Sequence, residues 1–308
     1  MKSSRLLVSV PDALVRGLFN VVPEGIEFME WDMSGPAPVD AIDIVVPPYM
    51  GATERLVQLA SVKTRLVQSL SLGYDGVEKV LPPGHVFANG ASVHEASTAE
   101  LTLALILASQ RGIPGFVRAA EKGQWAPELL PSLADRTVLL IGYGGVGQAI
   151  EARLLPFEVT VVRVARTARS DERGVIHDIE SVPELLPQVD IVVIAVPLTD
   201  DTTHLVNGAF LARMRDHSLV VNIARGKVAD TEALLVHASS GRLRLALDVT
   251  DPEPLPEGHP LFGLANVLIT PHVGGATTAM LPRVMHLLNE QFARMLRGDE
   301  PLNVVLRS

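Results

Sequence analysis

Short apolar runs recur along the chain at two levels of density. Up to about residue 97, Leu6–Val10, Ile26–Trp31, Ile42–Val46, Leu66–Leu70 and Val86–Asn89 predict strands separated by turn-rich or helical pieces. The third run stops at Pro47-Pro48, where proline removes the ladder donors. From Thr137 the rhythm restarts as Val138–Ile141, Val159–Val164, Ile191–Val196, Leu219–Ile223, Leu243–Val249 and Val267–Thr270. These runs are nearly unbroken, as expected of parallel strands covered on both faces, and helical patterns lie between most of them. Ala96–Arg111 predicts a long helix, apolar over much of its surface, which needs more than one neighbour to cover it. It reads as a connector between domains or a subunit contact. Thr277–Arg297 is amphipathic and ends at Gly298, a natural C-cap, after which Pro301–Leu306 can return to the first sheet.

The run Val138–Ile141 breaks into Gly142-Tyr143-Gly144-Gly145-Val146-Gly147, a G-x-G-x-x-G turn that leads into the helix-forming Gln148–Leu155. Such a turn aims backbone N–H groups and a helix N-terminus at a pyrophosphate. The motif alone is weak, but a strand before it and a helix after it give a dinucleotide site. The fold class expected is therefore α/β with two doubly wound domains. A Rossmann dinucleotide-binding domain, residues 98–276, is inserted into a discontinuous flavodoxin-like substrate domain, residues 1–97 plus 277–308.

NAD enzymes usually carry an acid about 20 residues beyond the glycines, at the end of the second strand, to bind the ribose 2′-hydroxyl. Here that place holds Ala165, followed by Arg166-Thr167-Ala168-Arg169. A carboxylate would repel a 2′-phosphate, whereas guanidinium groups pair with one. The expectation is a preference for NADP(H), with NAD(H) possible; the alternative is that both arginines are solvated surface charges.

Composition narrows the function classes. A net charge of −9 without any Lys/Arg-rich block argues against nucleic acid as a partner. The lack of cysteine excludes disulfides, Cys-ligated zinc, iron–sulfur clusters and a catalytic thiol, and fits a reducing compartment. No metal site is expected. The apolar stretch near the N-terminus is short for a signal peptide, and Leu101–Ala108 falls well below the ~20 residues that span a bilayer. A cytoplasmic protein without a membrane partner is expected.

Three strand ends beyond the glycine loop carry polar groups where a doubly wound sheet places its ligands. One run ends at Asn222-Ile223-Ala224-Arg225-Gly226, the next at Asp248-Val249-Thr250-Asp251-Pro252-Glu253-Pro254, and the last at Pro271-His272-Val273-Gly274-Gly275. These segments, together with Gly142–Gly147, Ala195-Val196-Pro197-Leu198-Thr199, Ser71-Leu72-Gly73-Tyr74-Asp75, Asn89-Gly90 and Ala99-Glu100, make the chain resemble a D-isomer-specific 2-hydroxyacid dehydrogenase nearly end to end. The clear departure is Ala165, which bears on the cofactor and not on the reaction.

The resemblance implies hydride transfer between a nicotinamide and a small 2-keto or 2-hydroxy acid. His272 would be the general acid of reduction and Glu253 its hydrogen-bonded partner, with Arg225 holding the substrate carboxylate and the polarised carbonyl oxygen. It assigns the cofactor to Thr98, Gly142, Gly144, Gly145, Val146, Gly147, Val196, Pro197, Thr202, Ile223, Ala224, Asp248 and Gly274, beside Arg166, Thr167 and Arg169. Asp248 would contact the nicotinamide carboxamide. Leu72 and Gly73 correspond to a loop whose backbone N–H groups hold the substrate carboxylate, although a plain turn fits the same pattern. Tyr49 is a candidate for the pocket wall. Hinges are expected near Ser97 and Gly275–Ala276, and a homodimer with Ala96–Arg111 at its interface.

Competing enzyme classes fail on single residues. No tyrosine is followed four positions later by lysine, against a short-chain dehydrogenase, and a zinc alcohol dehydrogenase lacks its cysteines here. L-lactate and malate dehydrogenases carry the glycine loop near the N-terminus, and Glu253 speaks against a formate dehydrogenase. A glyoxylate/hydroxypyruvate-type reductase leads the expectations. The alternatives are D-3-phosphoglycerate dehydrogenase and a catalytically weak dinucleotide-sensing interaction protein.

Overall fold

The computed structural model describes residues 5–308; the first four residues, part of the expected N-terminal domain segment, lie outside the described residues. The strands, in chain order, are β1 (Leu6–Val10), β2 (Ile26–Glu30), β3 (Ala41–Val45), β4 (Lys63–Gln68), β5 (Val86–Ala88), β6 (Thr137–Ile141), β7 (Thr160–Val164), β8 (Arg169–Asp171), β9 (Gly174–His177), β10 (Ile191–Ile194), β11 (Leu219–Asn222), β12 (Arg244–Leu247), β13 (Val267–Ile269) and β14 (Val304–Arg307). The chain divides into two compact units: residues up to His94 with Thr277–Ser308, and Glu95–Ala276.

The first unit holds a sheet in the order β14-β5-β4-β3-β1-β2. Its five leading strands are parallel, in the 2-1-3-4-5 order of flavodoxin-like folds. The returning strand β14 closes one edge antiparallel to β5. The expected amphipathic helix begins three residues late, at Met280, and runs to Arg297. Gly298 ends it in the left-handed conformation, its N–H bonding back to Met295 O. The buried face of this helix, Val284, Leu287, Leu288, Phe292 and Met295, joins Leu6, Val8, Val10 and Ile44 in one core. Burial of these side chains supplies the main stabilisation, about 1.5–3 kcal/mol for each large one.

The second unit holds a sheet in the order β13-β12-β11-β10-β6-β7-β9-β8. Five of the six predicted runs appear as strands shortened by one to three residues, and the run Val138–Ile141 gains Thr137. The strand in the third place of the doubly wound order, β9, went unpredicted, as did its antiparallel partner β8. The stretch Arg169–Gly174 is polar and exposed, and β9 adds only the pair Val175-Ile176, of which Ile176 is buried, too short to stand out as an apolar run. The helix Glu95–Gln110 buries Ala99, Thr102, Leu103, Leu105 and Ile106 within this unit, against the helix Gly145–Leu154 and strands β11 and β12. Much of its apolar surface is covered there, while Leu101 and Leu107 stay half-buried and Ala104 exposed. Exposed apolar side chains cluster just beyond it, at Ile113, Phe116, Val117, Trp125 and Leu129. No helix among the described residues is long and apolar enough to cross a membrane.

Candidate functional site

Register gives the second unit a flush carboxyl edge. Val164, Ile141, Ile194, Asn222, Leu247 and Ile269 are successive partners across β7, β6, β10, β11, β12 and β13, so the loops that follow start from one row. Neighbouring strands lie about 4.8 Å apart, which keeps these loops within reach of a single extended ligand. From β6 the chain moves outward through β7 to the β8–β9 hairpin and then crosses back to β10 on the other side of β6, and the crevice at such a switch point is where doubly wound sheets bind nucleotides.

The loop after β6 fits a dinucleotide. Gly142 sits at φ +107, where a side chain is strained, and a Cβ there would collide with the Ala195 carbonyl. A Cβ on Gly147 would strike the carbonyl of Gly142. Gly144 faces open space, and the ten-residue helix Gly145–Leu154 begins behind it without a side-chain cap. Its first N–H groups thus remain available for phosphate oxygens. Val196 and Pro197 follow β10, in a loop braced by Thr202, whose hydroxyl donates to Pro197 O at 2.7 Å and accepts from Thr199 N at 2.8 Å. Ala165 ends β7 without an acid, and Arg166, Thr167 and Arg169 are exposed beyond it. Arg169 Nη2 donates to the carbonyl of Tyr143 within the glycine loop at 3.3 Å. A guanidinium therefore lies against the loop that would hold the pyrophosphate.

The loops after β11, β12 and β13 carry the expected reactive groups. Arg225 follows a turn shaped by Asn222, whose amide donates to Arg225 O and whose carbonyl oxygen accepts from Ala224 N, both at 3.1 Å. Ile223 and Ala224 are buried in that turn. A Cβ on Gly226 would overlap the carbonyl of Thr250, so the loop bearing Arg225 packs directly on the loop leading to Glu253. His272 Nδ1 lies 2.6 Å from Glu253 Oε1, and both side chains remain open to solvent. A carboxylate on Nδ1 orients the ring and leaves Nε2 for another partner. The imidazole sits on a left-handed residue (φ +53) whose N–H donates to Asp248 O at 2.8 Å.

Asp248 is 3 % exposed and is committed to this loop. One carboxylate oxygen accepts from Thr270 Oγ1 at 2.6 Å and Val273 N at 3.0 Å, the other from Gly274 N at 2.9 Å. Gly274 also packs beside Thr98. Thr270 and Asn222 were not singled out as site residues from sequence. Polar side chains ending otherwise apolar strands were the available signal.

In the first unit, Tyr49 follows β3 and Leu72-Gly73 follow β4. Ser71 Oγ donates to Tyr49 O at 2.8 Å, and Asn89 Nδ2 donates to Leu72 O at 2.8 Å, which ties the two loops to the sheet end. The Tyr49 ring stacks on His94 at 5.3 Å. No group of three or more metal-ligating side chains occurs among the described residues.

The chain is similar to known proteins along most of its length. Residues 103–274 match the description "D-isomer specific 2-hydroxyacid dehydrogenase, NAD binding domain". The human "Glyoxylate reductase/hydroxypyruvate reductase" is 32 % identical over 291 residues, covering 89 % of either chain. A "Glyoxylate reductase" of Pyrococcus horikoshii is 32 % identical over 87 % of this chain and 84 % of its own. A crystal structure of an NADPH-dependent glyoxylate/hydroxypyruvate reductase from Sinorhizobium meliloti, in complex with NADP and malonate, aligns at a TM-score of 0.80 and 26 % identity over 99 % of this chain and 98 % of that one. With a dinucleotide loop on the same sheet edge as an Arg, a Glu and a His, the chain belongs to the D-isomer-specific 2-hydroxyacid dehydrogenases, a family of NAD(P)-dependent oxidoreductases.

Proposed function

We propose that this protein is a glyoxylate/hydroxypyruvate-type reductase that prefers NADP(H) and produces the D-2-hydroxy acid. The observation that carries the reaction is the 2.6 Å contact of His272 with Glu253, on the sheet edge shared with Arg225 and the glycine loop. When bound, the reduced nicotinamide supplies a hydride to the keto carbon. His272 gives its Nε2 proton to the carbonyl oxygen as negative charge builds there, while Glu253 holds the ring through Nδ1. Arg225 presents its fork of donors to the substrate carboxylate and to that same oxygen. Tyr49, Leu72 and Gly73 are assigned to substrate, and Thr98, the glycine loop, Val196, Pro197, Thr202, Ile223, Ala224 and Gly274 to the cofactor, while Asp248 is assigned to holding the loop that carries His272. The relatives' names support the substrate class.

NADP(H) preference rests on Ala165 in place of an acid and on Arg169 lying against Tyr143. Steady-state oxidation of NADPH and NADH, followed at 340 nm with glyoxylate, hydroxypyruvate and 3-phosphohydroxypyruvate, tests both parts. Equal or better kcat/KM with NADH removes the preference, and faster turnover of the phosphorylated keto acid removes the substrate class. No turnover of any 2-keto acid despite tight NADPH binding returns the sensor reading.

A homodimer is part of the proposal, with its contact moved to the exposed apolar residues Phe116, Val117, Trp125 and Leu129. Sedimentation of the wild type as a monomer at micromolar concentration would discard it.

A further inference from the structure

A group of charged side chains lies beneath the cofactor loop and takes no part in the reaction described above. Glu151, on the helix after the glycines, is 3 % exposed, and Arg163, on β7, is 5 % exposed. Arg163 Nε is 3.7 Å from Glu151 Oε1. Its other end reaches into the β8–β9 hairpin, with Nη1 donating to Asp171 Oδ1 at 3.0 Å and Nη2 to Arg173 O at 2.6 Å. Arg173 returns from the hairpin to Glu151 Oε2 at 2.7 Å, and its own N–H is fixed by Asp171 Oδ1 at 2.9 Å. Tyr143, the second residue of the glycine loop, donates its hydroxyl to the same Glu151 carboxylate, and Arg163 stacks over its ring at 5.5 Å. Burial, then the hydrogen bond to Glu151, pushes the Tyr143 hydroxyl above its ordinary pKa of 10.0, which keeps it a donor.

Burying ions is costly unless each is paired, and a buried pair is as often a device for specificity as for stability. Here one carboxylate and one guanidinium tie together three pieces of chain: the glycine loop, the helix it opens, and a largely polar hairpin anchored in the core by Ile176. The hairpin begins at Arg169, whose Nη2 reaches the Tyr143 carbonyl at 3.3 Å. The hairpin is therefore locked to the loop from both sides.

We propose that the buried Glu151–Arg163 pair, with Asp171 and Arg173, is a positioning device that sets cofactor discrimination by fixing the Arg166–Arg169 segment where a 2′-phosphate binds. The inference rests on the NADP(H) reading above. Asp171 and Glu151 contact neither the reacting atoms nor the phosphate; they act through the arginines. Asp171 in the hairpin and Glu151 on the neighbouring helix are thereby bound to cations instead of confronting the phosphate.

The test uses the full-length protein with Asp171→Asn and Glu151→Gln, together with Arg169→Ala as a reference. Affinities for adenosine 2′,5′-bisphosphate and for 5′-AMP are measured by calorimetry, beside KM and kcat with each cofactor. Asp171→Asn, at the hairpin turn, and Glu151→Gln are each expected to weaken 2′,5′-bisphosphate binding about tenfold, equivalent to about 1.4 kcal/mol. Affinity for 5′-AMP and kcat with NADPH should stay within about twofold. Wild-type protein that binds both nucleotides equally overturns the NADP(H) reading and this inference with it. Wild-type preference that falls in Arg169→Ala and survives in both acid variants overturns the positioning role alone. Equal losses for both nucleotides, with a lowered melting temperature, reduce the network to a structural one and equally overturn it.

Discussion

Asp248→Asn should damage catalysis through the loop that carries His272. The wild-type carboxylate accepts three hydrogen bonds, from Thr270 Oγ1, Val273 N and Gly274 N, on the residues flanking His272. An asparagine offers one acceptor oxygen and one NH2, so at least one of these donors must face another donor. Leaving a buried donor unmet costs about 1–3 kcal/mol, and the site is buried enough for the middle of that range, about 2 kcal/mol, to apply. If the loss falls on the local equilibrium of the 270–274 loop, the fraction holding His272 against Glu253 drops by up to about 30-fold. The same loss lowers the melting temperature by about 4–8 °C if it falls on global stability. The assay pairs differential scanning calorimetry with steady-state NADPH kinetics on hydroxypyruvate. A fall in kcat with little change in the KM for NADPH is expected. A variant with normal kcat and a raised cofactor KM would show that the carboxylate serves the nicotinamide carboxamide in preference to the loop. Normal values throughout would refute the reasoning.

His272→Ala and Arg225→Ala should each lower kcat by about two or more orders of magnitude at near-wild-type melting temperature, since both side chains reach solvent and support little packing; Glu253→Gln should cost about tenfold, as the ring keeps an acceptor, and near-normal turnover in any of the three removes its assigned role. Ala165→Asp places an acid at the end of β7, and repulsion of about 1.4–2.8 kcal/mol should cut kcat/KM for NADPH by about tenfold to a hundredfold while sparing NADH; an unchanged cofactor ratio would show that the 2′-position lies elsewhere. Burial holds the His85 imidazole below its ordinary pKa of 6.5, with its Nδ1 2.7 Å from Thr64 Oγ1. The folded state then binds fewer protons than the unfolded state below about pH 6.5, so stability is retained above that pH and declines as pH falls through it. His85→Gln should flatten the dependence of the melting temperature between pH 7 and 5, and an identical slope in the variant would place the effect on other groups.

Apolar runs determine local burial, and they were enough to locate the strands of both sheets except β8, β9 and the returning β14, which was expected only as a return of the chain. The glycine turn between β6 and its helix was equally legible, because close backbone approach at Gly142 and Gly147 permits no other residue. Arg225, Glu253 and His272 could be chosen because each follows the end of an apolar run. The β8–β9 hairpin escaped because only Ile176 of it is buried, which leaves no periodic trace. Within strand β7, the charge of Arg163 in Val161-Val162-Arg163-Val164 was the one visible sign of the network below the cofactor loop. Its partners lie 8 to 20 residues away on other elements, and only the folded chain brings them together. The same holds for Asp248, a strand-end acid by sequence and the clasp of the His272 loop by structure. Spacing along the chain reports which side of an element is buried; which polar groups meet across elements is decided by the topology that closes the sheets.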